Sequence, residues 1–150
     1  MKIYLAGPCD TENRTVMVKV ARILREYGHY DVYCPWELKI ENAWDYQQEE
    51  WAQKVFEADI AAIKDCDYMI SISFGRISSV GTAWEQGYAM GINKPVAVLQ
   101  VDDTNTSLMT YCGCTLFENV SLNTELFNEL MWVTDHMPME YHPKCKTILT

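Results

Sequence analysis

Five short apolar runs alternate with longer amphipathic segments, and this alternation constrains the fold more than any other feature of the sequence. The runs predict strands at 3–6, 30–33, 68–73, 95–100 and 115–118. Strands that alternate with helices in this way form a parallel sheet with helices on both faces. Ligands bind such sheets beyond the carboxyl ends of the strands, so the turns after residues 6, 34, 73 and 100 are where we expect a site.

The segments between the strands predict helices at 13–27, 44–64, 79–91, 107–111 and 122–133. The third of these helices begins at Ser79 or Thr82 and ends at Gly91. Residues 134–150 contain two prolines and no clear period, so we expect an irregular tail there. The chain has no linker or internal repeat, and its length suits one domain covering residues 1–150.

The composition excludes several classes of partner. The net charge of −9 argues against binding a nucleic acid polymer, which requires clustered Lys and Arg. A small anionic ligand stays possible, because one helix N-terminus and one Arg suffice to hold a phosphate. No run of about 18 apolar residues is present, and the first apolar stretch is too short for a signal peptide. We therefore expect a cytoplasmic protein that does not contact a membrane.

The cysteines give no sign of a metal site. None belongs to a C-x-x-C pair, and the single residue between Cys112 and Cys114 is a shorter spacing than zinc sites use. In a cytoplasmic chain we expect reduced thiols, mostly buried. The six cysteines are Cys9, Cys34, Cys66, Cys112, Cys114 and Cys145. We expect no metal and no cofactor.

Asp59 is the first candidate for chemistry. Steps of three and four residues along the long predicted helix give Ala52, Phe56, Asp59 and Ile63, a stripe that is apolar except for one carboxylate. A charge directed towards a core is costly unless it is paired or useful. The alternative is an ordinary surface Asp on a wider helix face.

Glu85 is the second candidate, in the segment 81–89 that follows the third strand. The spacing from Thr82 to Glu85 is that of a capping box, so Glu85 could simply bond back to the helix start. However, Gly81 and Gly87 flank it, and a glycine inside a helix costs about 1 kcal/mol. A ligand beside the helix would explain that cost, and so would tight packing of the helix on the sheet.

Tyr4, inside the first predicted strand, is the third candidate. A Tyr in a central strand is usually a core residue. Its hydroxyl nevertheless needs a buried partner, and a carboxylate is a natural one.

Together these segments resemble the nucleoside 2-deoxyribosyltransferase family. The matching stretches are IYLAGP at 3–8, the pattern D-I-x-x-I-x-x-C-D at 59–67, GTAWEQGYA at 81–89 and KPV at 94–96. The resemblance covers roughly residues 1–112, and G-T-x-x-E-x-G-x-A is its most specific part.

The resemblance implies a role for each candidate. Glu85 falls on the family's nucleophile, Asp59 on its proton-handling Asp, and Tyr4 on the Tyr that bonds the nucleophile. Trp36 and Glu37, in the loop after the second strand, fall where the family contacts the base. The implied fold class is α/β, a flavodoxin-like or Rossmann-like doubly wound sheet of five parallel strands in the order 2-1-3-4-5.

The implied reaction breaks an N-glycosidic bond. Such cleavage passes through an oxocarbenium-like state, which an adjacent carboxylate stabilises and then captures. Glu85 would attack C1′, Tyr4 would orient it, and Asp59 would protonate the departing base or activate what attacks next. Attack by a second base makes the enzyme a transferase, and attack by water makes it a hydrolase.

The residue six positions before the nucleophile discriminates between the two. The transferases of the family carry an Asp there, whereas this chain carries Ser79 and resembles the nucleotide N-hydrolase branch. An Asp would repel a 5′-phosphate, but Ser79 with the N–H groups of Val80 and Gly81 at a helix start would bind one. The alternative is that Ser79 is an ordinary helix cap.

Further residues complete the expected substrate site. Ser107 and Met109 lie in a segment similar to one that reaches the neighbouring subunit's site, with Ser in the hydrolases. Gly7 forms the turn after the first strand, and Arg14, at the start of the first helix, would add a positive charge for the phosphate. The alternative is a solvated Arg14, since the helix dipole does not favour a cation there.

The sequence thus predicts an N-glycosidase that hydrolyses a nucleoside 5′-monophosphate or a 2′-deoxynucleoside 5′-monophosphate. It also predicts a homodimer or higher homo-oligomer. One alternative is a nucleoside 2-deoxyribosyltransferase that moves deoxyribose between bases. Another is a flavodoxin-like module that binds a nucleotide without catalysis, which the fold alone would allow. The tail at 134–150 does not resemble the transferases' C-terminus, whose terminal carboxylate helps to build the neighbour's site.

Overall fold

The sheet of five parallel strands predicted from the sequence is confirmed. The computed structural model describes residues 1–75, 79–101, 105–121, 125–141 and 147–149. In spatial order the main sheet consists of β2 (Asp31–Tyr33), β1 (Lys2–Ala6), β3 (Tyr68–Ser73), β4 (Val96–Val101) and β6 (Leu116–Val120). This is the expected 2-1-3-4-5 order, with the fifth strand numbered sixth because a short strand, β5, precedes it in the chain.

Helices cover both faces of the sheet, which explains why every residue of β3 and β4 is buried. The helices are α1 (Arg14–Glu26), α2 (Gln48–Asp65), α3 (Val80–Gly91), α4 (Leu108–Cys112) and α5 (Leu126–His136). On one face α1 and α5 pack together over a large apolar core. On the other, α2 and α3 pack together over a smaller one, which includes Tyr4. Successive side chains of β1 therefore point to different cores.

The long helix α2 begins four residues later than its apolar pattern predicts. The chain first makes a short 3₁₀ turn at Ala43–Asp45, preceded by Asn42 in the left-handed conformation. Gln47 and Glu50 then form a capping box that starts the α-helix. Local capping thus overrides the apolar periodicity at this end.

The sequence predicted an irregular tail at 134–150, but parts of this segment are regular. The last helix, α5, continues to His136, and β7 (Thr147–Leu149) pairs in parallel with β5 (Asn105–Ser107). Strands of three residues are too short to show a period, and this pair joins segments about forty residues apart in the chain. Within the described ranges, no helix is long and apolar enough to cross a membrane.

Candidate active site

Tyr4 and Glu85 form a direct pair on the α2–α3 face of the sheet. Tyr4 lies in the middle of β1 and is completely buried. Its hydroxyl donates a hydrogen bond of 2.8 Å to Glu85 Oε1, which reaches it from α3. The capping-box interpretation of Glu85 is therefore wrong, because α3 is capped by Ser79 and the Glu85 carboxylate turns to the sheet.

Asp59 has a tyrosine partner of its own, which sequence reasoning missed. The Tyr33 hydroxyl donates a 2.8 Å hydrogen bond to Asp59 Oδ1. Tyr33 ends β2, and its ring stacks on that of Tyr4 with centroids 5.3 Å apart. The only signal for Tyr33 in the sequence was its place at a strand end, since the stacking depends on how β1 and β2 pair.

Burial raises the pKa of both carboxyl groups. Burial first, and then the nearby Asp59 charge, raise the pKa of Glu85 to about 7, while the hydrogen bond from Tyr4 opposes the rise. Burial likewise raises the pKa of Asp59, and the Tyr33 hydrogen bond opposes it. Burial and the Glu85 carboxylate together raise the pKa of the Tyr4 hydroxyl, so Tyr4 remains a donor.

The two carboxylates line one cleft between α2 and α3. The cleft has a volume of about 400 Å³. Its remaining lining residues are Phe56, Ile60, Ile63, Val80, Gly81 and Trp84. An apolar pocket with few converging polar groups is the usual form of a small-molecule site. A protonated and an ionised carboxyl in such a pocket can act as acid and nucleophile on one bond.

The flanking glycines do not serve tight packing on the sheet. A Cβ added to Gly87 would meet no atom within 4 Å, and one added to Gly81 would approach only the Ser79 Oγ, at 3.6 Å. Both therefore border open space, and Gly81 borders the cleft itself. Tight packing of α3 on the sheet therefore does not explain the helix stability that these glycines cost.

Ser79 lies at the N-terminus of α3, beside this cleft. Its Oγ accepts a long hydrogen bond of 3.4 Å from the Thr82 N–H, so Ser79 is a helix cap. The next residue, Val80, is 88% exposed, and Gly81 is exposed too. The first turn of the helix is accordingly open to an anion.

Trp36 and Glu37 do not join the carboxylates. Trp36 packs against the core under α1 and α5. Glu37 is held by Arg25 of α1 through two hydrogen bonds of 2.7 and 2.9 Å, and the same guanidinium also donates to the Val32 carbonyl at 2.7 Å. Both side chains, which were predicted to contact a base, thus make their contacts on the α1 side of the sheet.

Ser107 and Met109 lie on the far flank of α3. Ser107 caps α4 by accepting from the Met109 N–H at 3.3 Å. Met109 is 76% exposed and borders a separate groove of about 270 Å³, which Gly87 also lines. Within one subunit, these residues do not border the cleft that holds Glu85.

Gly7 and Arg14 lie at the two ends of the connection between β1 and α1. Gly7 is buried, and a Cβ there would meet the end of the Met17 side chain, which would have to shift to admit it. Arg14 begins α1 and donates to the Cys9 carbonyl at 3.1 Å, which leaves further donors of its exposed guanidinium for a ligand. Partial burial, together with the Glu85 and Asp59 carboxylates, raises the pKa of the Cys9 thiol.

Neither a disulfide nor a metal cluster occurs among the residues that the structure describes. Cys34, Cys66 and Cys114 are buried, Cys9 and Cys112 are exposed, and Cys145 lies outside the described ranges. Within those ranges, no three His, Cys, Asp or Glu side chains are grouped so as to hold an ion.

Comparison with known proteins points to one family. A family model described as nucleoside 2-deoxyribosyltransferase matches residues 3–136. A nucleoside deoxyribosyltransferase from Lactobacillus johnsonii is 30% identical over 77 residues, which are 51% of this chain and 52% of that protein. The aligned region thus spans about half the length of this relative.

Two solved structures have the same fold. A 2-deoxyribosyltransferase from Bacillus psychrosaccharolyticus superposes with a TM-score of 0.71 at 27% identity, over 87% of this chain and 90% of that one. A CMP N-glycosidase from Clostridium botulinum superposes with a TM-score of 0.61, over 91% of this chain and all of that one. The second pair shares only 21% identity, so this likeness shows the fold alone.

Proposed function

Because the chain belongs to the nucleoside 2-deoxyribosyltransferase family, whose enzymes act on nucleosides or nucleotides, we propose that it hydrolyses an N-glycosidic bond. The substrate is a nucleoside 5′-monophosphate or a 2′-deoxynucleoside 5′-monophosphate. The observation that carries this proposal is the hydrogen bond from Tyr4 to Glu85, whose carboxylate lines an apolar cleft together with Asp59. Glu85 is the nucleophile, Asp59 handles the proton, and Tyr4 orients Glu85.

In the first step, a Glu85 carboxylate oxygen attacks C1′ of the sugar. The bond from C1′ to the base nitrogen breaks, and its electron pair leaves with the base. A protonated Asp59 donates its proton to that base as the bond breaks. Burial raises the pKa of Asp59 towards the acid form, and it leaves the Glu85 carboxylate weakly solvated once Glu85 is ionised above its pKa of about 7.

In the second step, water replaces Glu85 at C1′. The Asp59 carboxylate takes a proton from the water, whose oxygen bonds to C1′ while the Glu85–C1′ bond breaks. This returns Glu85 to its ionised form and Asp59 to its acid form. Tyr4 donates its hydrogen bond to Glu85 in the free enzyme and stabilises it as a leaving group.

The 5′-phosphate is expected at the N-terminus of α3. The exposed first turn at Val80 and Gly81 presents backbone N–H groups beside the cleft, and Ser79 adds a hydroxyl. Arg14 is the positively charged candidate for the same phosphate, from the start of α1. An Asp in place of Ser79 would repel the phosphate.

A transferase reaction is the second candidate. It is favoured by the solved 2-deoxyribosyltransferase, which has higher identity and a higher TM-score than the N-glycosidase. The covalent step is the same, but a second base replaces water in the step that releases Glu85. Ser79 supports the hydrolase, since it is compatible with a phosphate that an Asp would exclude.

One screen separates these candidates from each other and from a non-catalytic module. Nucleosides and their 5′-monophosphates are incubated with the protein, with and without an added acceptor base, and chromatography measures free and exchanged bases. We expect free base from a monophosphate, with no faster reaction when a base is added. Faster transfer to added base would make the protein a transferase, and release from no compound would make it a binding module.

We also propose a homo-oligomer in which Ser107 and Met109 approach the neighbouring subunit's site. Exposed apolar side chains lie on both sides of α3, with Met109 on one side and Trp84, half exposed, on the other. Large exposed apolar patches commonly mark interfaces, and Gly87 leaves room beside Met109 for a second chain. Light scattering at working concentration is expected to give at least a dimer, and a fully active monomer would contradict this.

A further inference from the structure

We propose that Tyr33 is a positioning residue for Asp59, holding the carboxyl in place for proton transfer and tying it to the Glu85–Tyr4 pair. This inference rests on the proposed function, because it assigns Tyr33 a part in the same reaction. It begins from the hydrogen bond of 2.8 Å that the Tyr33 hydroxyl donates to Asp59 Oδ1.

The backbone places the two tyrosines side by side. In the parallel pairing of β1 with β2, Tyr4 and Tyr33 are register partners, so their side chains leave the same face of the sheet. Their rings stack with an interplanar angle of 20°. One stacked pair thus presents two hydroxyl donors, and each donor binds a different carboxylate.

Asp59 needs such support because its helix is weakly anchored. In α2 only Ile63 is fully buried, and Phe56, one turn before Asp59, is 47% exposed. A carboxyl on such a helix has several side-chain rotamers open to it, and proton transfer requires one of them. Tyr33 occupies Oδ1, which selects an orientation and leaves Oδ2 for the departing base.

The Tyr33 bond also sets the charge state of Asp59. The groups that interact electrostatically with Asp59 are Tyr33 from β2, Tyr4 from β1, Cys9 after β1 and Glu85 from α3; Arg14 acts on Cys9 from α1. A hydrogen bond donated to a carboxylate stabilises its ionised form, so the Tyr33 bond lowers the pKa that burial raises. Removing that bond will raise the pKa of Asp59 further.

Tyr4 and Tyr33 therefore control different limbs of the pH–rate profile. Glu85 must be ionised to attack, so Tyr4→Phe, which raises the pKa of Glu85, moves the acid limb to higher pH. Asp59 must be protonated to act as an acid, so Tyr33→Phe moves the alkaline limb to higher pH. A residue with a merely structural role would move neither limb.

The kinetic test compares Tyr33→Phe, which keeps the ring, with Tyr27→Phe at the exposed end of α1. Losing a hydrogen bond to a charged group is expected to lower kcat about 10- to 100-fold with little change in KM. Tyr27→Phe is expected to behave as wild type. In an Asp59→Asn background, Tyr33→Phe should cost less than about twofold, because its partner carboxyl is gone.

A titration that needs no activity completes the test. In protein labelled with ¹³C at the aspartate carboxyls, Asp59 is assigned by the resonance missing from Asp59→Asn. We expect its midpoint to move to higher pH in Tyr33→Phe and to stay unchanged in Tyr27→Phe. An unchanged midpoint, or an equal loss of kcat with and without Asp59, would overturn the role of Tyr33. If no substrate is cleaved, the proposed function fails instead, while the titration still decides whether Tyr33 controls Asp59.

Discussion

The two faces of the sheet are built on different principles. Five of the thirteen residues of α1 are buried, and they pack with α5 over a continuous apolar core. Of the eighteen residues of α2 only Ile63 is buried, and the cleft beside it is lined by two carboxylates, each of which accepts a hydrogen bond from a tyrosine hydroxyl of the sheet. The α1 face is built for burial, whereas the α2–α3 face leaves more of its helix surface exposed around the candidate site. Functional substitutions and destabilising substitutions should therefore segregate by face.

Glu85→Ala is the strongest test of this contrast. Loss of the nucleophile is expected to reduce turnover on the order of a thousandfold or more, because no other group captures the sugar. The variant is expected to fold and to bind its ligand. Base release is measured by chromatography, and a well-folded variant within about tenfold of wild-type activity would remove Glu85 from the mechanism.

Glu118 provides a matched control on the other face. It is a partly buried carboxyl whose pKa is raised to about 7 by burial and by the nearby Glu129, a value similar to that of Glu85. Its register partner is Leu99, which belongs to the core under α1 and α5. Glu118→Ala should leave kcat unchanged, since the raised pKa alone does not make a catalytic group.

Truncation of a core side chain should show the opposite behaviour. Leu24→Ala on α1 removes a fully buried side chain and is expected to destabilise the protein by about 2–5 kcal/mol. Phe56→Ala on α2 removes a side chain that is half exposed, so it is expected to cost less than about 1.5 kcal/mol. Denaturant unfolding measures both, and equal losses would contradict the contrast between the faces.

The 5′-phosphate is expected to have a smaller effect. A charge-assisted contact at the α3 N-terminus contributes about 1.5–3 kcal/mol, so kcat/KM should fall about 10- to 150-fold when the phosphate is absent. Ser79→Asp should shift the preference towards the free nucleoside, and Ser79→Ala serves as the control for loss of the cap. Equal efficiency of wild-type enzyme on nucleoside and monophosphate would refute the phosphate site.

The smallest effect is the pH dependence of stability at Glu85. Its folded-state pKa of about 7 lies above the ordinary 4.5, so the folded state binds the proton more tightly. Stability linked to this proton is present below pH 4.5 and is lost as the pH rises through about 7. Glu85→Gln should therefore stabilise the protein at pH 8, by on the order of 1–2 kcal/mol, but not at pH 4. Chemical denaturation at both pH values measures this, and an equal effect at both would contradict it.

Much of the fold was predictable because it follows from local patterns. The strands could be located because both faces of the sheet are covered, so β3 and β4 are largely apolar runs bounded by turns. The start of α2 was misplaced because a capping box at Gln47 decides it, against the apolar period. The pairing of β5 with β7 was missed because three-residue strands have no readable period.

The candidate site was predictable only in part, through the motif segments. Tyr4, Asp59 and Glu85 stood out because a polar group among apolar neighbours needs a reason, and the resemblance to a family assigned each a role. Tyr33 carried no such mark, since a tyrosine at a strand end is ordinarily a core residue. Trp36 and Glu37 have the residue types of a binding loop, yet contacts with the α1 side engage them.

The sequence by itself determined the order of strands and helices, the carboxylates on α2 and α3, and the glycines beside Glu85, because spacing and residue type are local properties. Only the tertiary structure decided which donor meets which carboxylate. The register of β1 with β2 stacks Tyr33 on Tyr4, and burial of Glu85 between α3 and the sheet raises its pKa to about 7. Hydrogen bonding and desolvation depend on distances between segments far apart in the chain, and those distances exist only after the sheet has formed.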